Sequence, residues 1–451
     1  MVRNRRPEST ETHTSTSKDA GSASPRAQLA ALAVVLDADR PTEGALLTPI
    51  DGLARIVVQR GRARSVRRDG DELVLELPDR RISKPHLAIE RAGDGFVVRD
   101  LGSSNGTFLG AFEGGERVAG RATVGERFIC AGHTVLAILP DGGPSLARME
   151  AERPWPFLTF SPDFARALGR LERVAASSLP LLLLGETGTG KEVLARAVHD
   201  RSGRPGPFVA VNCAALPAGL VEAHLFGHTA GAFSGARRDE AGYVRAADRG
   251  TLFLDEIGDL GDAAQATLLR VIQEGEVVPV GAFRPTPVSV RFVAATHAPL
   301  PELVARGEFR EDLYARLQGF VFQVPPLRER RADIGVLLAA LWPKASPELT
   351  LHVGAVDALL RHEYPMNVRE LKLALEAAAV LSDGSIEVGD LPKGFGVMSD
   401  TDSLPDDERL RTELTARLQA NGHNISQVAR DMGKARQQVQ RWVKRLGLGK
   451  G

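Results

Sequence analysis

The sequence contains only two cysteines, Cys130 and Cys213, which lie far apart and have no metal-ligating neighbours. This scarcity excludes a disulfide framework and favours a reducing cytosol. No apolar run approaches the length needed to cross a bilayer. Arg3, Arg5 and Arg6 near the N-terminus are not followed by an apolar stretch, so we expect no secretory signal and a cytoplasmic protein without a membrane partner.

Net charge is also absent, because 57 Lys and Arg residues balance 57 Asp and Glu residues. Bulk charge therefore identifies no partner, although no acidic residue follows Asp431 and several basic ones do. The 451 residues and a hydrophobic content of 43% are typical of globular protein and suggest about three domains.

Residues 29–139 contain short apolar stretches, at 55–58, 73–77, 87–90 and 96–98, separated by turns rich in Gly, Asp and Pro. Many short strands with turns between them predict a β-sandwich. Residues 1–28 are almost free of apolar side chains and predict a disordered tail. Residues 140–156 are rich in Gly and Pro and predict a linker.

Three motifs of this sandwich resemble the FHA domain, a phosphothreonine-binding module: Arg60-Gly61, ISKPH at residues 82–86, and DLGSSNGTF at residues 100–108. The resemblance implies that the phosphopeptide is contacted by Arg60, Ser83, Ser104 and Asn105, while His86 braces the loop. Arg supplies charge-assisted donors to phosphate, and loop Ser and Asn groups add hydrogen bonds. A literal Gly-Arg pair occurs at Gly61-Arg62, but Arg60 lies where a strand should end. The alternative, that residues 103–106 form only a tight turn, remains open.

The centre of the chain is organised around a glycine-rich loop. It follows an apolar run at residues 181–184 and precedes Val193, Leu194, Ala197 and Val198 at helical spacing. Strand, glycine loop and helix direct backbone N–H groups at phosphate, so we predict a nucleotide site with Lys191 on the outer phosphates. The predicted loop residues are Gly185, Glu186, Thr187, Gly188, Thr189, Gly190, Lys191 and Glu192.

A second motif, GTLFLDE at residues 250–256, ends an apolar run in two carboxylates. They should lie at the C-terminal end of a strand, beside the phosphate loop. Asp255 would hold Mg²⁺, and Glu256 would orient or deprotonate the attacking water. Glu192 stands where a Ser or Thr would usually hold magnesium, so more of that task passes to Asp255.

Further motifs occur in an order that resembles the sigma-54-dependent transcriptional activators, which are AAA+ ATPases also called bacterial enhancer-binding proteins. They are NCAAL at 212–216, LFGH at 225–228, GAFSGA at 231–236, FREDLYARL at 309–317 and PLRER at 326–330. The resemblance covers roughly residues 158–395. It implies an α/β P-loop ATPase at 157–335 with a helical lid at 336–395, and a homo-oligomer that is a hexamer when active.

The resemblance also assigns roles. Asn212 resembles a switch residue that senses Glu256, Thr296 a sensor, and Arg369 the lid sensor. Arg310 and Arg316 resemble fingers that reach a neighbour's ATP, although one of them could serve structure instead. The loop that engages sigma-54 would comprise Gly231, Ala232, Phe233, Ser234, Gly235 and Ala236. Five residues depart from the family pattern: Ser234 replaces Thr, Thr229-Ala230 replaces an acid-base pair, His224 replaces Glu, and Met366 stands where Gly is usual.

Residues 396–406 are acidic and polar and predict a second linker. Residues 407–451 then predict short helices, the second with Asn424 as its N-cap. The apolar faces of these helices are formed by Leu410, Leu414 and Leu418, by Ile425, Val428, Ala429 and Met432, and by Val439, Trp442, Val443 and Leu446. The last helix would present Arg436, Gln437, Gln440, Arg441 and Lys444 to DNA. This part resembles a Fis-type helix-turn-helix. A basic helix that merely closes a bundle remains the alternative.

The sequence therefore predicts a multidomain chain with a β-sandwich, an α/β ATPase with a helical lid, and an all-α helix-turn-helix. We expect an ATP- and Mg²⁺-dependent activator that binds upstream double-stranded DNA and remodels sigma-54 RNA polymerase holoenzyme. Its FHA domain would bind a phosphothreonine protein from a Ser/Thr kinase pathway. The alternatives are an ATP- and DNA-binding regulator without sigma-54 contact, and a phospho-dependent scaffold with a vestigial ATPase.

Overall fold

The structure is a computed structural model. It describes residues 30–43, 46–143, 145, 157–217, 219–344 and 346–396, together with residues 414, 415, 417, 418, 424, 425, 427, 428, 442 and 443. The predicted tail and most of the predicted linkers and C-terminal domain lie outside these residues. Among the described residues no helix is long and apolar enough to cross a bilayer.

The N-terminal part is a β-sandwich of two six-stranded sheets. One sheet has the order β2-β1-β12-β11-β8-β9 and the other β10-β7-β6-β3-β5-β4. The strands β1 to β12 are Ala31–Asp37, Leu46–Pro49, Arg55–Arg60, Ser65–Asp69, Glu72–Leu77, Leu87–Ala92, Gly95–Asp100, Thr107–Leu109, Glu116–Arg117, Arg121–Thr123, Ile129–Ala131 and Thr134–Leu139. Apolar residues of both sheets fill the space between them, which confirms the predicted β-sandwich.

The central part is a parallel sheet of the order β14-β15-β18-β13-β19 with helices on both faces. Strands β13 to β19 are Leu181–Leu184, Phe208–Asn212, Thr251–Asp255, Glu276–Val277, Thr286–Pro287, Arg291–Thr296 and Phe320–Gln323. Helices α1 to α7 are Pro162–Ala175, Lys191–Ser202, Val221–Phe226, Gly242–Ala246, Asp262–Glu274, Leu300–Ala305 and Glu311–Leu317. A parallel sheet covered on both faces needs continuous apolar strands, and β18 is buried along its whole length.

Of the four apolar residues at helical spacing after the glycine loop, Val193 lies outside the buried face of α2. Val193 is 52% exposed, whereas Leu194, Ala195 and Val198 are buried in α2. The helix begins at Lys191, and successive side chains are about 100° apart around its axis. Val193 therefore lies away from the sheet, and Ala195 occupies the buried face.

The lid follows the parallel sheet and packs through apolar faces of three helices. Helices α8 to α10 are Asp333–Leu341, Val353–Arg361 and Asn367–Leu381, and strands β20 to β22 are Thr350–Leu351, Ser385–Ile386 and Lys393–Gly396. The predicted α/β ATPase fold with a helical lid is confirmed. Of the predicted C-terminal domain, the described residues Leu414, Leu418, Val428 and Val443 form one small buried cluster against which Ile425 and Trp442 pack. The helix-turn-helix itself stays a prediction.

Candidate nucleotide site

The glycine-rich loop joins β13 to α2 and is shaped by left-handed backbone. Gly188 has φ 79°, and a Cβ there would lie 2.1 Å from the carbonyl oxygen of Met366 in the lid. Gly190 is the N-cap of α2 with φ 101°. Only glycine adopts such conformations without strain and permits so close an approach, so the loop can present its backbone N–H groups toward an anion.

Lys191 lies at the first position of α2 and is 7% exposed. Its Nζ donates to the carbonyl oxygens of Gly185, at 2.8 Å, and Glu186, at 3.2 Å. Burial lowers the pKa of Lys191, and the nearby Glu256 and Asp255 carboxylates oppose that shift. A buried ammonium facing two carboxylates at the edge of a sheet is suited to bind phosphate.

Asp255 ends β15, and Glu256 follows it with φ 51°. Left-handed backbone at a non-glycine residue costs on the order of 1–3 kcal/mol and is concentrated at functional sites. Burial raises the pKa of Asp255, and the charge of Glu256 raises it further. A cation beside Asp255 would relieve both effects. Asp255 therefore fits a Mg²⁺ ligand, even though no group of three or more metal-ligating side chains occurs among the described residues.

Glu256 is anchored to the end of the neighbouring strand, β18. Its Oε2 lies 2.8 Å from Nδ1 of His297 and 3.4 Å from Oγ1 of Thr296, and it accepts from the His297 backbone N–H at 3.3 Å. Thr296 is thus beside Glu256, as predicted for a sensor, and His297 is a contact that the sequence did not single out.

Asn212 ends β14 in register with Asp255. Its side-chain oxygen accepts from the backbone N–H of Ala214 at 3.0 Å, whereas Glu256 bonds to Thr296 and His297. The structure therefore places Asn212 next to the carboxylate pair but does not bring its side chain onto Glu256. Its role as a switch stays a prediction.

The lid contacts the loop through the N-terminus of α10. The backbone N–H of Arg369 donates to the Gly188 carbonyl at 3.3 Å. Asn367 Nδ2 donates to Glu186 Oε2, at 3.1 Å, and to the Thr187 carbonyl, at 3.0 Å. Arg369, the predicted lid sensor, therefore lies at the loop.

Arg328 also connects the lid side of the structure to the loop. Its guanidinium forms a bidentate pair with the Glu186 carboxylate, at 2.6 and 2.8 Å. Hydrogen bonds from Arg328, followed by that from Asn367, lower the pKa of Glu186 to about 2. The sequence analysis includes Arg328 only as part of the PLRER motif and does not single out Asn367. Their partner lies more than 140 residues away in the chain, so no local pattern could have revealed it.

The loop that is predicted to bind phosphothreonine, residues 103–106, lies against His86, which is fully buried. We call it the phosphothreonine loop. The backbone N–H of Ser83 donates to His86 Nδ1 at 2.9 Å, and His86 Nε2 lies 3.2 Å from the Gly106 carbonyl. Burial lowers the pKa of His86, although the Gly106 contact opposes that shift. Neutral His86 with its proton on Nε2 satisfies both contacts. It thereby braces the loop in the way the resemblance implies.

The four predicted phosphopeptide residues lie together at one end of the sandwich. Arg60 ends β3, and its backbone N–H donates to the Ser83 carbonyl at 3.0 Å. Ser83 Oγ accepts from the Ser104 N–H at 3.1 Å, and Asn105 Nδ2 donates to the Arg81 carbonyl at 2.7 Å. The geometry brings these residues together, and their role in binding stays a prediction.

Comparisons with known proteins agree with this geometry. The family descriptions that match are "Sigma-54 interaction domain" at residues 157–323, "AAA+ ATPase lid domain" at residues 328–407 and "FHA domain" at residues 61–124. The chain belongs to the sigma-54-dependent activator family of AAA+ ATPases.

Three relatives illustrate the similarity. The acetoin catabolism regulatory protein of Cupriavidus necator is 47% identical over 303 residues, which are 62% of this chain and 45% of the relative. The Nif-specific regulatory protein of Azotobacter vinelandii is 41% identical over 303 residues, 64% of this chain and 58% of the relative. The anaerobic nitric oxide reductase transcription regulator NorR of Citrobacter koseri is 40% identical over 332 residues, 67% of this chain and 65% of the relative. The chain thus spans about half the length of the curated relatives it matches.

A crystal structure of NtrX from Brucella abortus in complex with ADP is 30% identical to the chain. The match covers 67% of this chain and 71% of NtrX, with a TM-score of 0.49.

Within this family fold, the predicted sigma-54 loop, residues 231–236, is inserted between β14 and β15. The Gly231 N–H donates to the Ala236 carbonyl at 2.7 Å, and the Ala236 N–H donates to the Phe233 carbonyl at 3.0 Å. Phe233 is half-buried, with its ring centroid 4.9 Å from that of His228. Phe233 therefore packs on His228 of the same insertion, which begins after Asn212 of β14 and ends before Thr251 of β15.

The two predicted arginine fingers lie at opposite ends of α7. Arg310 is its N-cap residue and pairs with Asp312, at 2.8 Å, and Asp262, at 3.7 Å. Arg316 lies in its last turn and is exposed. The predicted DNA-contacting residues Arg436, Gln437, Gln440, Arg441 and Lys444 lie outside the described residues.

Proposed function

We propose that this chain is an ATP-driven transcription activator that remodels sigma-54 RNA polymerase and is regulated through its FHA domain. It would use ATP with Mg²⁺, assemble as a ring of identical subunits and hold upstream double-stranded DNA with its C-terminal residues. The observation that carries the proposal is the convergence of Lys191, Asp255 and Glu256 beside the glycine loop, with Asp255 in register with Asn212, the residue from which the insertion carrying Phe233 leaves β14.

The chemistry follows from these positions. Lys191 and the loop N–H groups would hold the outer phosphates, and Glu256 would orient or deprotonate the attacking water. Asp255 would hold Mg²⁺, which supplies charge neutralisation when bound. Glu256 is hydrogen-bonded to Thr296 and His297, so a movement of Glu256 on loss of the outer phosphate would also displace the end of β18. Arg310 or Arg316 would complete a neighbour's site.

The insertion of residues 213–250 between β14 and β15 gives hydrolysis a route to the partner. Asn212 leads into this insertion and Thr251 leaves it. Asn212 pairs with Asp255, so a shift at the carboxylate end of β15 would be passed to the start of the insertion that carries the Phe233 loop. The decisive experiment is open-complex formation by purified protein, ATP and sigma-54 RNA polymerase on a sigma-54 promoter. Failure of the active, ATP-hydrolysing protein to open the promoter would overturn the proposal.

Phe233→Ala is expected to retain ATP hydrolysis and to lose promoter opening, because the aromatic ring contacts the partner and not the nucleotide. Hydrolysis and open-complex formation would be measured on the same preparation. Ser234→Thr, which restores a methyl group beside the ring, is the matched variant and should open promoters at least as well as the native chain. Loss of hydrolysis in Phe233→Ala would contradict the assignment.

A second candidate is an ATP- and DNA-binding regulator that acts without sigma-54 contact. Ser234 and the pair Thr229-Ala230, at family positions that usually carry other residues, favour it. The Thr229 N–H donates to the Val280 carbonyl at 3.0 Å, so this changed pair also supports the loop base. If Phe233→Ala and the native chain regulate a bound promoter equally, the second candidate replaces the first. A scaffold with a vestigial ATPase would require that the native chain hydrolyse no ATP.

Arg60→Ala is expected to weaken phosphothreonine-peptide binding roughly 10- to 100-fold, because hydrogen bonds to charged groups contribute about 1.5–3 kcal/mol. The matched control is Arg62→Ala, two residues beyond the end of β3. The probe is a degenerate phosphothreonine-peptide library, with the unphosphorylated library as reference. Equal losses in the two variants, or none, would show that the binding residue is misassigned.

A further inference from the structure

The FHA sandwich and the ATPase lid share one hydrophobic core. In β1, Leu32 and Val34 point into the sandwich, while Ala31, Ala33 and Val35 pack against the lid. In β12, Val135, Ala137 and Leu139 join the same lid-facing set. Their partners in the lid include Ile334, Leu338, Leu359 and Leu375. The outer face of this sheet is therefore covered by the lid.

Backbone groups of the two parts approach each other directly. The N–H of Leu351 in β20 donates to the carbonyl of Ala38, just after β1, at 2.8 Å. Gly335 in α8 packs against β1 so closely that a Cβ there would lie 1.7 Å from the carbonyl oxygen of Val35. Such contact requires a glycine and fixes the distance between α8 and β1.

A buried carboxylate of the lid also binds a loop of the sandwich, the segment at residues 110–115. Asp357 of α9 is 5% exposed and accepts from the backbone N–H groups of Phe112, at 2.9 Å, and Glu113, at 2.6 Å. Arg361 Nη2 donates to the Glu113 carbonyl at 2.9 Å. Burial of a carboxylate is costly unless it is hydrogen-bonded, so Asp357 holds this loop in one position.

The loop bound by Asp357 is connected to the phosphothreonine loop by strand β8. Strand β8 begins at Thr107, whose Oγ1 donates to Asp100, and Asp100 also accepts from Ser103 of the loop. Phe108 of β8 packs on the shared core. Three residues of strand and a short turn thus connect the loop at residues 103–106 to the two N–H groups bound by Asp357.

On the ATPase side, the lid reaches the glycine loop within a few residues of the shared core. Tyr364 is buried in that core, and its hydroxyl donates to the Leu359 carbonyl of α9 at 2.7 Å. Asn367, three residues later, bonds to Glu186 and Thr187. A displacement of α9 would therefore be transmitted to the nucleotide loop.

We propose that the FHA sandwich and the lid move as one rigid body, which couples the phosphothreonine loop to the nucleotide loop through Asp357 and the shared core. The coupling rests on nucleotide binding at the glycine loop, which is part of the proposed function. By linkage, if a bound phosphopeptide changes the nucleotide affinity by some factor, bound nucleotide changes the phosphopeptide affinity by the same factor. In this proposal the FHA domain is fixed to the lid and moves with it, and it is not an independent domain on a flexible linker.

The test is a substitution that forces the FHA sandwich and the lid apart in the whole 451-residue chain; we call it the wedge variant. Gly335→Ala places a methyl group against the Val35 carbonyl, whereas Gly169→Ala, in α1, meets nothing within 4 Å and is the matched control. Amide hydrogen exchange is followed without nucleotide and with ADP. Without nucleotide, Gly335→Ala should speed exchange about tenfold or more at residues 107–113 and also at 364–371. Gly169→Ala should leave both segments unchanged.

With ADP, the native chain should show slower exchange at residues 185–191 and, through the lid, at residues 107–113. We expect ADP to slow exchange at the second segment by at least about fivefold, and Gly335→Ala should abolish this effect. Asp357→Asn, which keeps the side-chain shape but faces one N–H with an amide, should weaken it and provides a second variant if the wedge fails to fold.

Each outcome decides the matter. Exchange at 364–371 unchanged by a folded wedge variant, or ADP protection confined to residues 185–191, would overturn the coupling. If neither variant altered residues 364–371 in the absence of ADP, the rigid body would likewise be refuted. If ADP protected nothing in the native chain, nucleotide binding itself would fail, and the nucleotide-free arm would still decide the rigid-body contact.

Discussion

Glu256→Gln is expected to lower ATP hydrolysis about 10²- to 10⁴-fold while ATP still binds, because a positioned base contributes a factor of that size. Glu256 is held by Thr296 and His297 at the end of β18, and its φ of 51° shows that the backbone is strained to place it there. Glutamine keeps the length and can still bond to Thr296 and His297, but it cannot accept a proton from water.

Two quantities are measured for each variant: the steady-state rate of phosphate release and the affinity for ADP or ATP. Glu274→Gln, an exposed carboxylate in the last turn of α5, is the matched control and should hydrolyse ATP normally. Asp255→Ala should also stop turnover, and unlike Glu256→Gln it should reduce the gain in ATP affinity that Mg²⁺ provides, because it removes the metal ligand rather than the base. A Glu256→Gln variant with native turnover would assign the base elsewhere.

The nucleotide site could be predicted from sequence because its parts are local. A glycine loop between an apolar run and a helix, and an apolar run ending in two carboxylates, each specify their own geometry. Lys191, Asp255 and Glu256 accordingly lie together in the structure. The contacts of Glu186 with Arg328 and Asn367 could not be predicted in this way, because long-range partners leave no periodic signal.

The hydrophobic core shared by the FHA sandwich and the lid cannot be assigned from the sequence, although two apolar runs indicate it. An antiparallel sandwich sheet with one face in water alternates apolar and polar residues. Residues 31–36 and 135–139 are instead continuously apolar, and the structure buries both faces of β1 and β12. Such runs predict a second covering layer, but they do not identify it. That Asp357 accepts from Phe112 and Glu113 is evident only from the folded chain.

The arginines of α7 illustrate a different limit. Sequence resemblance marks Arg310 and Arg316 as candidate fingers, and a single subunit cannot show what they reach. The structure nevertheless distinguishes their surroundings. Arg310 is engaged by Asp312 and Asp262 of its own subunit, while Arg316 is exposed at the other end of the helix. Because the engaged guanidinium would have to leave two carboxylates, Arg316 is the better candidate for the contact across subunits.

Arg316→Ala is therefore expected to lower ATP hydrolysis about 10³- to 10⁵-fold, the range associated with an arginine finger. Arg310→Ala should lower the rate of ATP hydrolysis by a smaller factor, because the Arg310 guanidinium already has partners within its own subunit. Arg306→Ala, which breaks only an exposed pair with Glu308, is the control and should retain native hydrolysis. Hydrolysis would be measured at protein concentrations that support ring assembly, with assembly checked by light scattering.

Mixing two inactive variants tests whether the arginine acts across subunits. A ring of Arg316→Ala and Glu256→Gln subunits contains some sites in which an intact Glu256 faces an intact Arg316 from the neighbour. Hydrolysis should therefore reappear on mixing, at a level that follows the number of such pairs. A finger acting within its own subunit would give no recovery at any ratio, because no single subunit in the mixture would carry both groups. Recovery with Arg310→Ala but not with Arg316→Ala would instead assign the trans contact to Arg310.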